Sequence, residues 1–379
     1  MTGNNGSGTL PVGRRLALWL LMLAVPLVVA PLVLVQAWYL YGYLGFQGGY
    51  CGPFGKLDPE IGWVLAPDTQ SCIIGKDGPF GQIAFRGEVS IDDRGARVPA
   101  DSFRRGGHTV KPLQVIVMGD SWPFGYGIDG KDTFASRLTR DHGYETALFA
   151  SPAYSNAQAL MLADRMAAKH HPEAFVFLIA GLERAICIGA TEPEWILKPC
   201  YWTAPGGKAR LVVPPPGLVE AAAKFGLRPG GMLGAGEMTP GYFLISRPVS
   251  KANAMLVKLG VISGTPDDFY GVAPADETEA IRRASFADLR RLVARHHAKM
   301  ILLDPGGIYG GLTEDAVASG EMIYVGNKQW REEISLPSDA LPANERAVPY
   351  DGHYGPGVHA MIAGMVSAKL KAVGLKPSN

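Results

Sequence analysis

Charge of either sign is in short supply in this chain. Only 19% of its 379 residues are Asp, Glu, Lys or Arg, and 36 basic against 35 acidic side chains leave a formal net charge of +1. Nucleic-acid binding needs a basic surplus to neutralise phosphates, so nucleic acid is not an expected partner. Disorder is excluded from the opposite side, because a chain that is 47% hydrophobic must bury surface. Cysteine is scarce as well: there are four, and no pair has the close spacing and histidine partners of a zinc site. No His/Cys/Glu cluster with ligand spacing appears, so neither a metal nor an organic cofactor is implied. Tandem repeats and heptad runs are missing too. What is plentiful is glycine, at 48, and proline, at 29, which predicts long ordered loops rather than a helical bundle. The length suits one enlarged domain with extras, or two domains.

One absence is local. No charged residue occurs from Leu16 to Gly55, and Leu16 to Leu40 is almost wholly apolar. About 20 residues of helix cross a hydrocarbon core, and this stretch exceeds that. Pro26 and Pro31 are tolerated in a lipid-embedded helix as a kink, and Trp38, Tyr39, Tyr41 and Tyr43 form an interfacial belt at its far end. With Arg14 and Arg15 at the near end, residues 1–15 are expected to stay cytoplasmic. Residues 16–40 form the anchor, and the main body lies in the periplasm of a bacterial inner-membrane, single-pass protein. The competing reading is a cleaved signal peptide, whose apolar region runs to only about 7–15 residues.

The cysteines agree with export. Cys51 with Cys72, and Cys187 with Cys200, are the disulfides that proximity favours, the second being worth ~3 kcal/mol by the chain-entropy estimate. Four buried free thiols are the alternative.

Residues 45–105 alternate turn signals with short apolar runs such as Ile61-Gly-Trp-Val-Leu, and predict a small β-rich membrane-proximal segment. Beyond it the period changes. Leu113–Met118 predicts a buried parallel strand, 131–141 an amphipathic stretch, Thr146–Ala150 a strand and 155–169 a helix. Strand Ala174–Ala180, helix 278–297, strand Met300–Leu303 and a closing helix at 357–373 follow. Such alternation argues for an α/β sandwich with a parallel sheet over 106–379. Residues at about 188–277, which include Pro214-Pro-Pro and Gly230-Gly-Met-Leu-Gly-Ala-Gly, are too long for an ordinary crossover and read as an insertion over one end of the sheet.

Gly119-Asp-Ser-Trp-Pro-Phe-Gly-Tyr-Gly directly follows the first parallel strand. A serine at such a turn presents its hydroxyl above the sheet edge, and it is a poor nucleophile until a base takes its proton. Both a base and an orienting acid stand in Tyr350-Asp-Gly-His-Tyr-Gly-Pro-Gly-Val-His, just before the last helix. Asp351 and His353 fit those roles toward Ser121, and His359 is a second candidate base. His170-His171 and His296-His297 end helical stretches, where cations suit the dipole. Asp304-Pro-Gly-Gly, after the fourth strand, reads as a solvated turn, with contact to the site as the alternative.

This order of elements resembles the SGNH/GDSL hydrolase superfamily, with a Gly-Asp-Ser block after the first strand and an Asp/His block before the last helix, over roughly residues 112–379. Asp58-Pro-Glu-Ile-Gly-Trp and Ser90-Ile-Asp-Asp-Arg-Gly-Ala-Arg look like the β-rich leader of some envelope-associated members. The resemblance implies a flavodoxin-like three-layer α/β/α sandwich, with Ser121 as nucleophile, His353 as base and Asp351 as its partner. It also implies esterase, lipase, deacetylase or O-acetyltransferase activity.

Three departures stand out. Ala153 is nearest the glycine whose amide serves the oxyanion in the second block. Glu183, in Gly181-Leu-Glu-Arg, stands where an asparagine would donate; a carboxylate there repels the developing charge, and the loss of one oxyanion donor typically costs ~3 kcal/mol. Asn156 or Arg184 are the candidate substitutes. Finally, only Gly352 separates the acid from the histidine.

The expected function is that of a membrane-anchored extracytoplasmic serine esterase or O-acetyltransferase. Its expected substrate is an acylated carbohydrate of envelope or secreted polysaccharide, or a small ester. The alternative is a degenerate scaffold assembling with membrane proteins.

Overall fold

The computed structural model describes residues 51–76, 82–103, 112–179, 198–203, 207–215 and 275–378, with a few isolated positions besides. The predicted anchor over 16–40, most of the insertion at about 188–277, and Glu183, Arg184 and Cys187 lie outside the described residues. Among the described residues no helix is long and apolar enough to cross a membrane.

Five short strands made of continuous apolar runs form the centre: β6 (Val115–Gly119), β7 (Thr146–Ala150), β8 (Ala174–Leu178), β11 (Lys299–Leu303) and β12 (Met322–Val325). Almost every side chain on the first four is buried, as expected of strands covered on both faces. They pair in parallel in the spatial order β12-β11-β8-β6-β7. Numbered by their own succession this is 2-1-3-4-5, the flavodoxin-like order. The order reverses between β6 and β8, and the crevice at such a switch point is where open α/β sheets hold ligands.

Helices α2 (Phe134–His142), α3 (Asn156–His170), α4 (Ala275–His296) and α5 (Pro356–Ala372) supply the connections and the closing element. α2 packs on α5 and α3 on α4. Right-handed crossovers put those two pairs on opposite faces of the sheet. Side-chain caps start two of the helices. Thr133 Oγ1 accepts from Ser136 N at the start of α2, and Ser155 with Gln158 forms a reciprocal capping box at the start of α3.

The leader is more closely joined to the main domain than a spacer would be. β3 (Thr69–Lys76), β4 (Ile83–Ile91) and β5 (Arg97–Val98) continue the same sheet, making eight strands, with β5 antiparallel to β7 at Arg97 and Leu148. A hairpin of β1 (Gly55–Asp58) and β2 (Gly62–Leu65) docks on α3. Tyr154 Oη donates to Trp63 O, Gln158 Nε2 to Ile61 O, and Arg165 to Asp58 and Glu60. The Asp58-Pro-Glu-Ile-Gly-Trp run is therefore a docking strip for α3.

Cys51 and Cys72 are disulfide-bonded, with Cα atoms 5.0 Å apart, and Cys200 is disulfide-bonded as well. Cys200 opens β9 (Cys200–Trp202), which pairs with β10 (Arg210–Val212) in a hairpin inside the predicted insertion.

Candidate active site

β6 delivers the chain to the switch point, and Gly119 makes the turn possible. Its φ is +142°, and a Cβ there would stand 2.6 Å from both Leu178 O and Pro123 Cγ. Only glycine lets the chain pass so close to β8. Asp120 then caps a single helical turn, α1 (Ser121–Phe124), its Oδ1 accepting from Trp122 N at 3.0 Å. The cap fixes Ser121 as the first helical residue, 7% exposed, with its hydroxyl at the carboxyl end of the sheet.

The partner loop lies just before α5. Ala347 and Tyr354 form an antiparallel bridge, and Val348 N donates to His353 O at 2.8 Å. Inside this closed loop Gly352 takes φ +88°, which folds the chain back within one residue. That left-handed step lets an Asp-Gly-His sequence bring its acid and imidazole face to face. Tyr350, at φ +60° and 82% exposed, carries backbone strain of the kind that collects at functional loops.

The two segments meet. His353 Nε2 lies 2.8 Å from Ser121 Oγ, and His353 Nδ1 is hydrogen-bonded to Asp351 Oδ1. With the carboxylate accepting from Nδ1–H, the Nε2 lone pair is left to accept the serine proton. Two rings on the serine's own turn hold the imidazole: Trp122 at 5.2 Å and Tyr126 at 5.0 Å between centroids. Tyr354 packs on Trp122 at 4.2 Å, and burial pushes its phenol up to about 12.

Two backbone donors stand on the adjoining loops. Ser121 N–H and Ala153 N–H have no protein acceptor among the described residues. Ala153 has φ +63°, a left-handed backbone position that favours glycine. Ser151 N donates to Gly119 O at 3.4 Å, which holds this loop beside the serine's.

Other predicted residues stand elsewhere. Asn156 is buried at the first position of α3, with its carboxamide beside the Tyr309 phenol and no bond to Ser121, His353 or Asp351 among the described contacts. His359 is 0% exposed and accepts from Phe134 N through Nδ1 at 3.1 Å. Burial, with Arg97 and Arg137 nearby, holds its pKa down to about 3, so it is a neutral packing residue. Asp304 corrects the expectation of a solvated turn. It is fully buried, accepting from Ile308 N, Tyr309 N and Tyr324 Oη, because a short carboxylate can close a turn and satisfy its amides at once. Among the helix-ending histidines, His296 pairs with Asp164 at 2.8 Å, and His171 takes the left-handed position that ends α3.

Trp122 and Tyr126, both inside the serine block, and Arg97 are residues of the site that the motifs alone do not single out. Aromatic residues beside a nucleophile motif were the available signal for the first two. A cleft of about 480 Å³ opens between β5 and α2, lined by Arg94, Asp101, Lys131, Thr139 and Arg140 among others. It contains none of Ser121, His353 and Asp351, and no histidine lines it, so the triad identifies the site better than size does.

No family model and no curated protein matches the chain. Among solved structures it is similar to one described as "Crystal Structure of TesA", at 12% identity and a TM-score of 0.35, covering 69% of this chain and 99% of that one. It is also similar to one described as "The active site of a carbohydrate esterase displays divergent catalytic and non-catalytic binding functions". There the identity is 10% and the TM-score 0.36, covering 71% and 68%.

Proposed function

From an SGNH/GDSL-like fold with a serine, a histidine and an aspartate in hydrogen-bonded series, we propose that this chain is a serine esterase. The observation that carries the reading is the 2.8 Å approach of His353 Nε2 to Ser121 Oγ, with Asp351 bonded behind the imidazole. Ser121 Oγ attacks the acyl carbonyl while His353 takes its proton. The oxygen of the tetrahedral adduct gains charge beside the N–H groups of Ser121 and Ala153. Collapse expels the alcohol, to which His353 returns the proton, and leaves an acyl group on Ser121. A second acceptor, activated by the same imidazole, then releases it. Water as acceptor gives hydrolysis; a sugar hydroxyl gives acyl transfer.

The finer reading is an anchored extracytoplasmic enzyme acting on O-acetyl esters of envelope or secreted polysaccharide. Its support is the apolar run at 16–40 together with the disulfides at Cys51–Cys72 and Cys200, which suit an oxidising compartment. The reading of a degenerate scaffold draws on Glu183.

One experiment decides between them. The full chain in detergent is treated with a fluorophosphonate probe and with p-nitrophenyl acetate, beside Ser121→Ala. The esterase reading expects labelling and turnover that vanish in the variant. No labelling of the parent, or turnover unchanged by the substitution, leaves the scaffold. Acetylated polysaccharide, with and without a free sugar acceptor, then separates hydrolysis from transfer.

A further inference from the structure

Arg97 is 2% exposed and comes from β5, in the leader, yet it reaches into the serine's turn. Its Nη1 donates to Phe124 O and, at 2.8 Å, to Gly125 O. Its Nη2 donates to Ile128 O at 2.5 Å and to Glu88 O at 2.8 Å. The guanidinium carbon lies 4.3 Å above the Phe124 ring. Among the described residues no carboxylate forms an ion pair with it; Asp129 acts on it only through space. Burying a guanidinium without a counter-ion is costly, and here the compensation comes from backbone carbonyls and one aromatic face.

Three of those four carbonyls belong to one small structure, and the fourth, Glu88 O, to β4. Gly125 N and Tyr126 N both donate to Ser121 O at 3.1 Å, closing the turn that begins with the nucleophile. The carbonyls of Phe124, Gly125 and Ile128 then converge on the guanidinium. The same turn carries Trp122 and Tyr126, the rings packed on His353. Whatever fixes the curl of residues 121–128 therefore fixes the nucleophile and the bed of its base together. Burial lowers the Arg97 pKa to about 9, above neutral, so the charge that organises the carbonyls persists.

We propose that Arg97 is a positioning residue of the esterase site, a four-carbonyl clamp through which the leader sets the Ser121–His353 distance. This rests on the esterase reading. A planar fork with donors on both Nη atoms is needed, because four acceptors in different directions cannot be met by the three donors of one ammonium. The leader is then part of the catalytic apparatus rather than a spacer.

The test uses full-length Arg97→Gln and Arg97→Lys, with Arg165→Gln as control. The control loosens the leader at Asp58 and Glu60 without touching the turn. Each is assayed with p-nitrophenyl acetate, labelled with fluorophosphonate and melted, and rates are taken well below each melting point. A positioning role expects kcat for Arg97→Gln to fall at least about 30-fold with KM within about threefold. Labelling should slow in proportion, Arg97→Lys should recover only part, and Arg165→Gln should keep kcat near the parent value. A folded Arg97→Gln with kcat within threefold of the parent overturns the proposal, as does a drop of equal size in Arg165→Gln. If Arg97→Gln does not fold, Arg97→Lys decides by the same threshold; if neither folds, Arg97 is a stability residue and the proposal falls. A parent that is never labelled sinks the esterase reading itself, whereas equal labelling of parent and variants sinks only the clamp.

Discussion

Ser121 Oγ and His353 Nε2 lie 2.8 Å apart although 232 positions separate them in the chain. The contact joins the first residue of the short turn α1 to a loop, where the only hydrogen bond that orients the imidazole from behind, among the described residues, is the one to Asp351. Asp351→Asn is expected to favour the wrong tautomer at His353 and to lower kcat. A buried triad aspartate is worth about 10⁴ in kcat. Asp351 is partly open to water, so a loss on the order of 10²–10³ is expected, with the melting temperature nearly unchanged. Turnover of p-nitrophenyl acetate beside a thermal melt checks this; activity within a few-fold of the parent removes Asp351 from the mechanism.

Ala153 sits in left-handed backbone at φ +63°. An L-residue with a Cβ pays roughly 1–2 kcal/mol there, while a glycine costs the folded state some extra chain entropy, of order 0.5–1 kcal/mol. Ala153→Gly is therefore expected to be neutral to stabilising, by up to about 1 kcal/mol, with esterase turnover retained because the N–H is retained. Ala153→Val should move stability the other way. Denaturant unfolding of the three chains is the check, and a destabilised glycine variant would mean that the methyl group packs usefully.

Much of the central sheet could be read from the chain because its strands are continuous apolar runs. Thr146–Ala150 lies where the apolar run puts it, and the first strand is offset by two residues at its start. β12 and the β9–β10 hairpin escaped because three or four residues are too few to show a period. The two loops that meet at the serine were visible as motifs, but what holds them was not. Arg97 acts on backbone carbonyls, which leave no trace in residue identity, and the left-handed states of Ala153 and Tyr350 belong to residues that normally avoid them. The Asp304 turn is illegible in the sequence for a related reason: its partners are amides and a phenol contributed by β12, a strand too short to show a period.

The Cys51–Cys72 bridge spans 21 positions and ties the start of the described leader to β3. A loop of that size corresponds to about 3 kcal/mol of chain entropy removed from the unfolded state. Cys51→Ser is expected to lose about that much relative to the parent under oxidising conditions, and the difference between the two should vanish in reductant, which opens the Cys200 bridge in both. Unfolding titrations with and without reductant distinguish this from simple packing loss, which would be the same in both.

His359 gives the fold an acid sensitivity separate from catalysis. Its ring stacks on Phe134 and takes the Phe134 amide proton at Nδ1, so protonation would break that bond inside the core. Burial holds its folded pKa to about 3 against an ordinary value of 6.5. Below pH 6.5 the unfolded chain binds a proton at this site that the folded chain refuses, so unfolding is favoured as pH falls. The contribution is complete above 6.5, erodes by up to about 1.4 kcal/mol per pH unit below it, and levels off only beneath the folded value. By pH 5 the accumulated loss is about 2 kcal/mol. His359→Asn keeps an acceptor for the Phe134 amide but has no proton to gain. It is expected to be less stable at pH 7.5, because of the lost ring, while losing about 2 kcal/mol less than the parent on going to pH 5. Urea unfolding at the two pH values measures that difference, and parallel losses in parent and variant would show that the acid sensitivity arises elsewhere.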